Sequence, residues 1–413
     1  MVGENNSIFI KPSKSNTLNI VEFLMPQIFK NKNFFEAFAC FINNLIVILW
    51  IRIVQRNGIL KRIFLHILLG FNFVFILVLI LSYLSVYIPP DKYWIPSLFG
   101  LIYPYALFLN FLFVVTWILI KPKYLIFSLL IILIGGNFFN RYFKIWGRTS
   151  DNASIKVLSY NVRNFQGEGR IPSKYIAENI KLFLEEQQPD LICLQEVKLR
   201  SNRVFNLPQV VAKFPFINHY QYATTGSTTG LATLTKFPVV NMGEIRFDNS
   251  KNMAIFTDIL MKEDTVRVFN IHLQSYYIDP DKYDIIDSPG ISEARDFRQV
   301  KEMGNKYRNA VKMRAEQARN IHEKIIKSPY KVIVCGDFND TPVSYSYQKV
   351  LGKLKDAFVK SGKGIGRTYI GRLPSFRIDY ILYSKGFKAY NFKKASICYS
   401  DHLPVYCNLE LDH

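Results

Sequence analysis

The sequence is poor in cysteine and in acidic side chains, and each shortage excludes something. Five cysteines occur singly in 413 residues and none forms a C-x-x-C pair, so neither a cysteine zinc site nor a disulfide scaffold is indicated. Asp and Glu total 32 against 52 Lys and Arg, which gives a formal net charge of +20. Such an excess favours a membrane surface, nucleic acid or another phosphate-rich partner, and a solvated basic surface is the alternative.

Acidic residues are scarcest in the first 150 residues, which contain 4 Asp or Glu and 14 Lys or Arg. Long apolar runs dominate this part, and the two longest reach the roughly 20 residues that a helix needs to cross a bilayer. Runs of this length and number exclude a cleaved signal peptide. We therefore predict three or four transmembrane helices, at 64–88, 94–120, 124–140 and, interrupted by Asn43, Asn44 and Arg52, at 34–54.

The charges of the connecting turns predict the orientation of these spans. The stretches Arg52–Arg62 and Lys121–Lys123 are basic, whereas Pro89–Lys92 carries one Asp and one Lys. Because basic loops stay in the cytoplasm, the chain would leave its last span on the outer face, although Arg141 and Lys144 directly after that span oppose this. We expect a multi-pass protein of a bacterial-type inner membrane with its C-terminal domain on the periplasmic face.

A polar, turn-forming stretch, "GRTSDNAS", separates the apolar part from the rest. The predicted organisation is a membrane region at 1–146, a linker at 147–154 and a catalytic domain at 155–413. Within the last part, short strand-like runs alternate with turns and with helical patterns at Ser173–Gln187 and Arg308–Lys327.

Several strand-like runs end in polar residues, as in "VIVCGDFND" from Val332 to Asp340. Each such residue alone is typical of an ordinary turn. Burying them separately would leave polar atoms in a dry core at a high cost in free energy. Strands that end together would instead gather them around a metal and a phosphate at one rim. The residues concerned are Asn161, Glu196, His272, Asp337, Asn339, Asp379, Asp401 and His402.

The motifs that carry these residues resemble those of a known superfamily. In chain order they are "LSYNVR", "LICLQEV", "GLATLTKFP", "NIHLQS", "GDFND", "RIDYIL" and "SDHLPV". They resemble the endonuclease/exonuclease/phosphatase superfamily, which includes pancreatic-type deoxyribonucleases, abasic-site endonucleases, neutral sphingomyelinases and inositol-polyphosphate 5-phosphatases. The resemblance covers Ile155 to the C-terminus. It implies an α/β (α+β) fold, a four-layer sandwich of two largely antiparallel sheets.

The resemblance also implies a metal site. Glu196 would be the principal Mg²⁺ ligand, with Asn161 and Asp401 close to the metal, and Mn²⁺ is the alternative ion. Hard oxygen ligands suit Mg²⁺. Asp337 would align or deprotonate the attacking water, and Asn339 would hold that water and a phosphate oxygen.

Two histidines complete the implied site. His402, oriented by Asp379, would contact the scissile phosphate, and a carboxylate behind an imidazole favours its cation. His272 matches the second histidine of the deoxyribonuclease and sphingomyelinase branches and would help to bind substrate. Arg163 stands where abasic-site endonucleases carry an acid, which weighs against two metals and against that substrate branch.

The predicted function is Mg²⁺-dependent hydrolysis of phosphodiester or phosphomonoester bonds by in-line water attack, at a membrane. The expected partners are the lipid bilayer and a phosphoester substrate, which is a phospholipid head group, a nucleic acid or a soluble phosphoester; no protein partner is inferred. The acid-rich stretch Tyr276–Asn305 would form a surface insertion that slightly favours a compact substrate. The alternative is a catalytically inactive, membrane-tethered scaffold on the same fold.

Overall fold

The computed structural model describes residues 58–151, 155–166, 171–198, 206–226, 229–275, 293–371 and 376–412, without the side chains of 293–300. Their contacts form two compact units. One comprises Met1–Ile76 and Phe108–Leu129, and the other comprises Leu77–Leu107 and Leu130–His413. The predicted span at 34–54 lies outside the described residues.

Apolar helices fill the first part of the described chain. They are α1 (Gly58–Ser85), α2 (Ile95–Leu101), α3 (Tyr103–Ile120), α4 (Leu125–Ile134) and α5 (Gly136–Phe139). Within the described residues, α1 and α3 are long and apolar enough to cross a membrane, which gives two candidate spans where we predicted three. In the third, predicted at 124–140, the helix is shorter. The predicted run 94–120 is divided between α2 and α3, because Pro104 lacks a backbone N–H and fits the first turn of a helix.

A buried polar network joins three of these helices inside the first unit. Asn72 of α1 donates through Nδ2 to Ser128 Oγ of α4 at 2.6 Å, and its Oδ1 accepts from Trp117 Nε1 of α3 at 2.8 Å. Asn110 of α3 donates to the Phe75 carbonyl of α1 at 2.9 Å. Hydrogen bonds between side chains of this kind stabilise the association of apolar helices.

Two six-stranded sheets form the body of the second unit. The strands, including a small pair β1–β11 beside the sheets, are β1 (Phe143–Lys144), β2 (Ile155–Asn161), β3 (Leu191–Lys198), β4 (His219–Thr224), β5 (Thr229–Thr235), β6 (Val239–Arg246), β7 (Met253–Met261), β8 (Asp264–His272), β9 (Lys331–Asp337), β10 (Lys355–Asp356), β11 (Gly364–Ile365), β12 (Asp379–Tyr383), β13 (Phe387–Lys394) and β14 (Val405–Leu411). The sheet orders are β13-β14-β2-β3-β5-β4 and β10-β12-β9-β8-β7-β6. Each sheet has one parallel pair, β2–β3 or β8–β9, and is otherwise antiparallel.

Helices cover the outer faces of both sheets, which confirms the predicted four layers. Helix α6 (Ser173–Gln187) has the predicted bounds and buries Ile176, Ile180 and Leu184 against the first sheet. The chain continues through α7 (Leu207–Lys213), α8 (Glu293–Ile326), α9 (Tyr345–Leu351) and α10 (Ala357–Ser361). Helix α8 covers the second sheet and begins well before the predicted Arg308, so the last part of the predicted insertion is helical.

Strand register brings the polar strand ends to one place. In the parallel pair β8–β9, His272 lies opposite Asp337. Strand β12 runs antiparallel to β9, so its first residue, Asp379, also lies opposite Asp337. In the other sheet, β2 and β3 are parallel, and Asn161 lies opposite Gln195, the neighbour of Glu196.

Candidate active site

Asp337 ends strand β9 at the centre of the candidate site. The preceding Gly336 has φ 149°, and the chain turns there so close to β8 that an added Cβ would lie 2.0 Å from the Ile271 carbonyl oxygen. The Asp337 carboxylate is 1% exposed and accepts hydrogen bonds from the Asn339 backbone N–H at 2.8 Å and from Asn161 Nδ2 at 2.9 Å. Burial raises the pKa of Asp337 to about 6, although the charge of His402 acts in the opposite direction.

His402 lies between two carboxylates. Its Nδ1 is 3.0 Å from Asp379 Oδ2, and its Nε2 is 3.6 Å from Asp337 Oδ2. Burial disfavours the imidazolium, but the carboxylates of Asp379 and Asp337 outweigh that effect and raise the pKa of His402 to about 10. Thr368 holds the start of β12 in place, because its Oγ1 accepts from the Asp379 backbone N–H at 3.1 Å. His402 is therefore a positioned cation at neutral pH.

Glu196 enters the site from a bulge in β3, where its own φ is 53°. Its Oε1 accepts from Asn161 Nδ2 at 3.2 Å and lies 3.6 Å from His272 Nε2. Asn164 Nδ2 donates to Oε2 at 3.4 Å. Burial raises the pKa of Glu196 and lowers the pKa of His272, so burial favours the neutral form of both side chains.

Asp401 closes the site on the side of β2. Arg163 Nε lies 3.4 Å from Asp401 Oδ2, and Ser400 Oγ donates to the Asn161 carbonyl at 2.8 Å. Residues Arg163–Phe165 form a left-handed turn with φ values of 45°, 55° and 58°. Positive φ in non-glycine residues is strained, and such strain clusters at functional sites.

The structure thus joins every residue that the sequence singled out into one network of contacts. Asn339 contacts the Asp337 carboxylate twice. Its backbone N–H donates to Asp337 Oδ1 at 2.8 Å and its Nδ2 lies 3.3 Å from Asp337 Oδ2, while Nδ2 also donates to the Leu273 carbonyl at 3.0 Å. A contact between Asn339 and a phosphate oxygen stays a prediction.

The charge balance of the site fits a divalent cation. Four carboxylates outnumber the two cations in contact with them by two charges, and burial makes such an excess costly. Asp337, Asp379 and His402 offer atoms within 4.8 Å of one another, but a His402 imidazolium has no lone pair for a metal. The carboxylates and cations are Glu196, Asp337, Asp379, Asp401, His402 and Arg163.

Sequence reasoning missed several polar residues that support the site. Gln195 and Asn270 are fully buried between the sheets, where Gln195 Nε2 donates to Asn270 Oδ1 at 2.8 Å. Asn164 was missed as well, and its Oδ1 accepts from Thr229 Oγ1 at 2.6 Å. The available signal was a polar residue inside an otherwise apolar strand-like run, which Gln195 and Asn270 both give.

Comparison with known families agrees with this geometry. The model of the Endonuclease/Exonuclease/phosphatase family matches residues 158–402. The chain belongs to this family. A separate domain family of unknown function matches residues 61–142, which include all of α3 and all but the first three residues of α1.

Solved structures that are similar to part of this chain have low sequence identity to it. An endonuclease/exonuclease/phosphatase from Beutenbergia cavernae is 16% identical, with a TM-score of 0.45, over 62% of this chain and 71% of that chain. The mannosyl-6-phosphatase of Bacteroides thetaiotaomicron is 19% identical, with a TM-score of 0.44, over 62% of this chain and 100% of its own. The human nocturnin catalytic domain is 19% identical, with a TM-score of 0.45, over 62% of this chain and 94% of its own. No curated protein matches the chain in sequence.

Proposed function

We propose that this family member is a membrane-anchored, Mg²⁺-dependent hydrolase that cleaves phosphoester bonds by direct attack of water. The observation that carries the proposal is the buried pair of His402 and Asp379, with His402 Nε2 3.6 Å from Asp337 Oδ2. A fixed cation beside a carboxylate of raised pKa is the arrangement that a phosphoester and its attacking water require.

Glu196, Asn161 and Asp401 would hold the metal. Mg²⁺ bound there supplies positive charge to the phosphate oxygens and lowers the barrier to attack. These three residues offer oxygen donors, and the excess negative charge of the site favours a divalent ion.

The remaining side chains have separate roles in the proposed reaction. Asp337, with a pKa of about 6, accepts the proton of the attacking water near neutral pH. The His402 imidazolium donates a hydrogen bond to the phosphate and opposes the charge that develops on it. His272 is kept neutral by burial and contributes a hydrogen bond to bound substrate. Asn339 fixes the Asp337 carboxylate through its backbone N–H and its side chain.

The membrane part of the proposal is supported by the apolar helices α1 and α3, with the shorter α4 joined to them by the Asn72 network. We infer a multi-pass anchor and a periplasmic catalytic domain from the charges of the turns. Alkaline phosphatase and fluorescent-protein fusions at the C-terminus test the orientation. Active alkaline phosphatase with a dark fluorescent fusion is expected, and the reverse pattern contradicts the periplasmic placement.

The activity is tested on purified full-length chain with bis-p-nitrophenyl phosphate, with Mg²⁺ and with EDTA. We expect Mg²⁺-dependent release of nitrophenol that His402→Ala reduces to background. A panel of sphingomyelin, phosphoinositides, DNA, RNA and soluble phosphomonoesters then identifies the class of substrate. Absence of turnover on every substrate, with the protein folded, supports the alternative of an inactive membrane scaffold.

A further inference from the structure

The loop that follows the Asp337 strand runs from the site directly to the ends of the apolar helices. Val343 in this loop has no exposed surface. It lies in one apolar cluster with Leu79 and Tyr83 of α1 and with Tyr103 and Ala106 of α3. A side chain of the catalytic domain therefore completes the apolar core formed by the helix ends.

The contact extends to the backbone of the short helix α2. A Cβ added to Gly100 would lie 2.1 Å from the Val343 carbonyl oxygen and 2.6 Å from Ser85 Oγ. Ser85 Oγ donates to the Val343 carbonyl at 3.4 Å, and Thr341 Oγ1 donates to the Gly100 carbonyl at 3.5 Å. Because glycine alone leaves room for this approach, the loop and the helix are in contact along their backbones.

Polar ties around this contact fix its position. Arg141, just after α5, donates to the Pro342 carbonyl at 2.8 Å. Helix α8 adds two ties, since Arg319 pairs with Asp91 at 2.9 Å and Tyr307 OH donates to Ser97 Oγ at 3.2 Å. The segment after α5 is thus tied to the loop, and the turn after α1 and helix α2 are tied to helix α8.

The loop is short and its other end lies in the site. Asn339 is four residues before Val343, has φ 51° and orients Asp337. Between them, Asp340 is held by Arg314 at 3.2 Å and by Tyr380 OH, which donates to its carbonyl at 2.8 Å. Val343 is therefore connected to the Asp337 carboxylate by a short segment that is held at several points.

We propose that Val343, seated against Gly100, is a positioning residue of the active site, so that the helix ends hold Asp337 and Asn339 in their reactive geometry. This inference rests on the proposed phosphoesterase function. It makes the apolar helices part of the catalytic structure and gives them a role beyond tethering the domain.

The test compares full-length variants in the same detergent or nanodisc. Gly100→Ala forces the loop away, Val343→Ala removes two methyl groups from the cluster, and Gly70→Ala is the control because nothing lies within 4 Å of its added Cβ. Misplacement of a catalytic group by about 1 Å costs up to about a hundredfold in rate, so we expect kcat to fall about tenfold or more in the first two variants. We expect KM to change less than kcat, because His402 and His272, which would also bind the substrate, lie on other segments of the chain.

Amide hydrogen exchange gives a second result that does not need activity. We expect faster exchange over Phe338–Thr341 in Gly100→Ala and in Val343→Ala, and wild-type exchange in Gly70→Ala. Wild-type kcat and wild-type exchange in both Gly100→Ala and Val343→Ala would overturn the proposal. If the wild-type chain has no phosphoesterase activity, the proposed function fails, and exchange alone still decides whether the helix ends position the loop. If Gly100→Ala does not fold, the kcat and the exchange of the milder variant Val343→Ala decide whether the proposal holds.

Discussion

Alanine at Gly336 probes how closely the two strands that carry His272 and Asp337 approach each other. The new Cβ would lie 2.0 Å from the Ile271 carbonyl oxygen and 2.8 Å from the Ile271 carbonyl carbon and nitrogen, and none of these backbone atoms can rotate away. The φ of 149° adds strain of about 1–3 kcal/mol, and forced repacking costs about 1–3 kcal/mol more. The loss of about 2–6 kcal/mol corresponds to a fall in Tm of at least about 4 °C for a domain of this size.

Thermal unfolding of the full-length chain, followed by circular dichroism, measures this loss. Two other glycines separate its causes. Gly226→Ala has φ 82° and nothing within 4 Å, so it should lose only the strain. Gly304→Ala lies in helix α8 with open space, so it should gain about 0.5–1 kcal/mol. A Tm for Gly336→Ala no lower than that of Gly226→Ala would refute the close approach of β8 and β9.

Three further predictions concern other parts of the molecule. Arg377→Ala should cost about 3–5 kcal/mol in chemical denaturation, because Arg377 pairs at 2.6 Å with the buried Asp356 carboxylate, which would lose its paired cation. Lys388→Ala, in an exposed pair, should leave the denaturation midpoint unchanged, and equal midpoints for both variants contradict this. Without metal, the stability that Asp379 gives to the His402 imidazolium is complete below the unfolded pKa of histidine, about 6.5, and is lost as pH rises through about 10. The denaturation midpoint should therefore fall over that pH range in the wild type and fall less in Asp379→Asn. Parallel pH curves for the two proteins would contradict this prediction. Asn72→Leu removes the hydrogen bonds that link three apolar helices and should lower the free energy of unfolding in detergent by about 1–2 kcal/mol. An unfolding temperature equal to that of the wild type would show that this network does not stabilise the helices.

Local pattern was sufficient to predict the polar strand ends of the candidate site. In "GDFND", side chains alternate across the strand, which predicts that Phe338 turns into the core while its neighbours face the site. The structure confirms this, since Phe338 is fully buried with its ring 4.7 Å from that of Tyr380, and Asp337 faces His402. The structure pairs β8 with β9 in parallel, and this pairing brings His272 to the same rim.

Features that depend on packing between distant segments could not be predicted. Nothing in the sequence around Val343 or Gly100 indicates that they are in contact, because the contact arises only when the loop after β9 meets the helix ends. Asn164 reaches Glu196 through a left-handed turn of three non-glycine residues, a conformation that no local propensity favours. The apolar run 94–120 forms two helices, and Pro104 was its one indication of this division, since apolar composition continues from one helix to the next.

The decisive measurement is the initial rate of bis-p-nitrophenyl phosphate hydrolysis by purified full-length chain, first in EDTA and then with excess Mg²⁺, for wild type and Asp337→Asn side by side. We predict that the metal switches on hydrolysis in the wild type and that Asp337→Asn, folded to the same Tm or higher because a buried carboxylate of raised pKa is removed, stays at background. Hydrolysis at the wild-type rate by Asp337→Asn, or a wild-type rate that Mg²⁺ does not change, would contradict the proposed phosphoesterase centre.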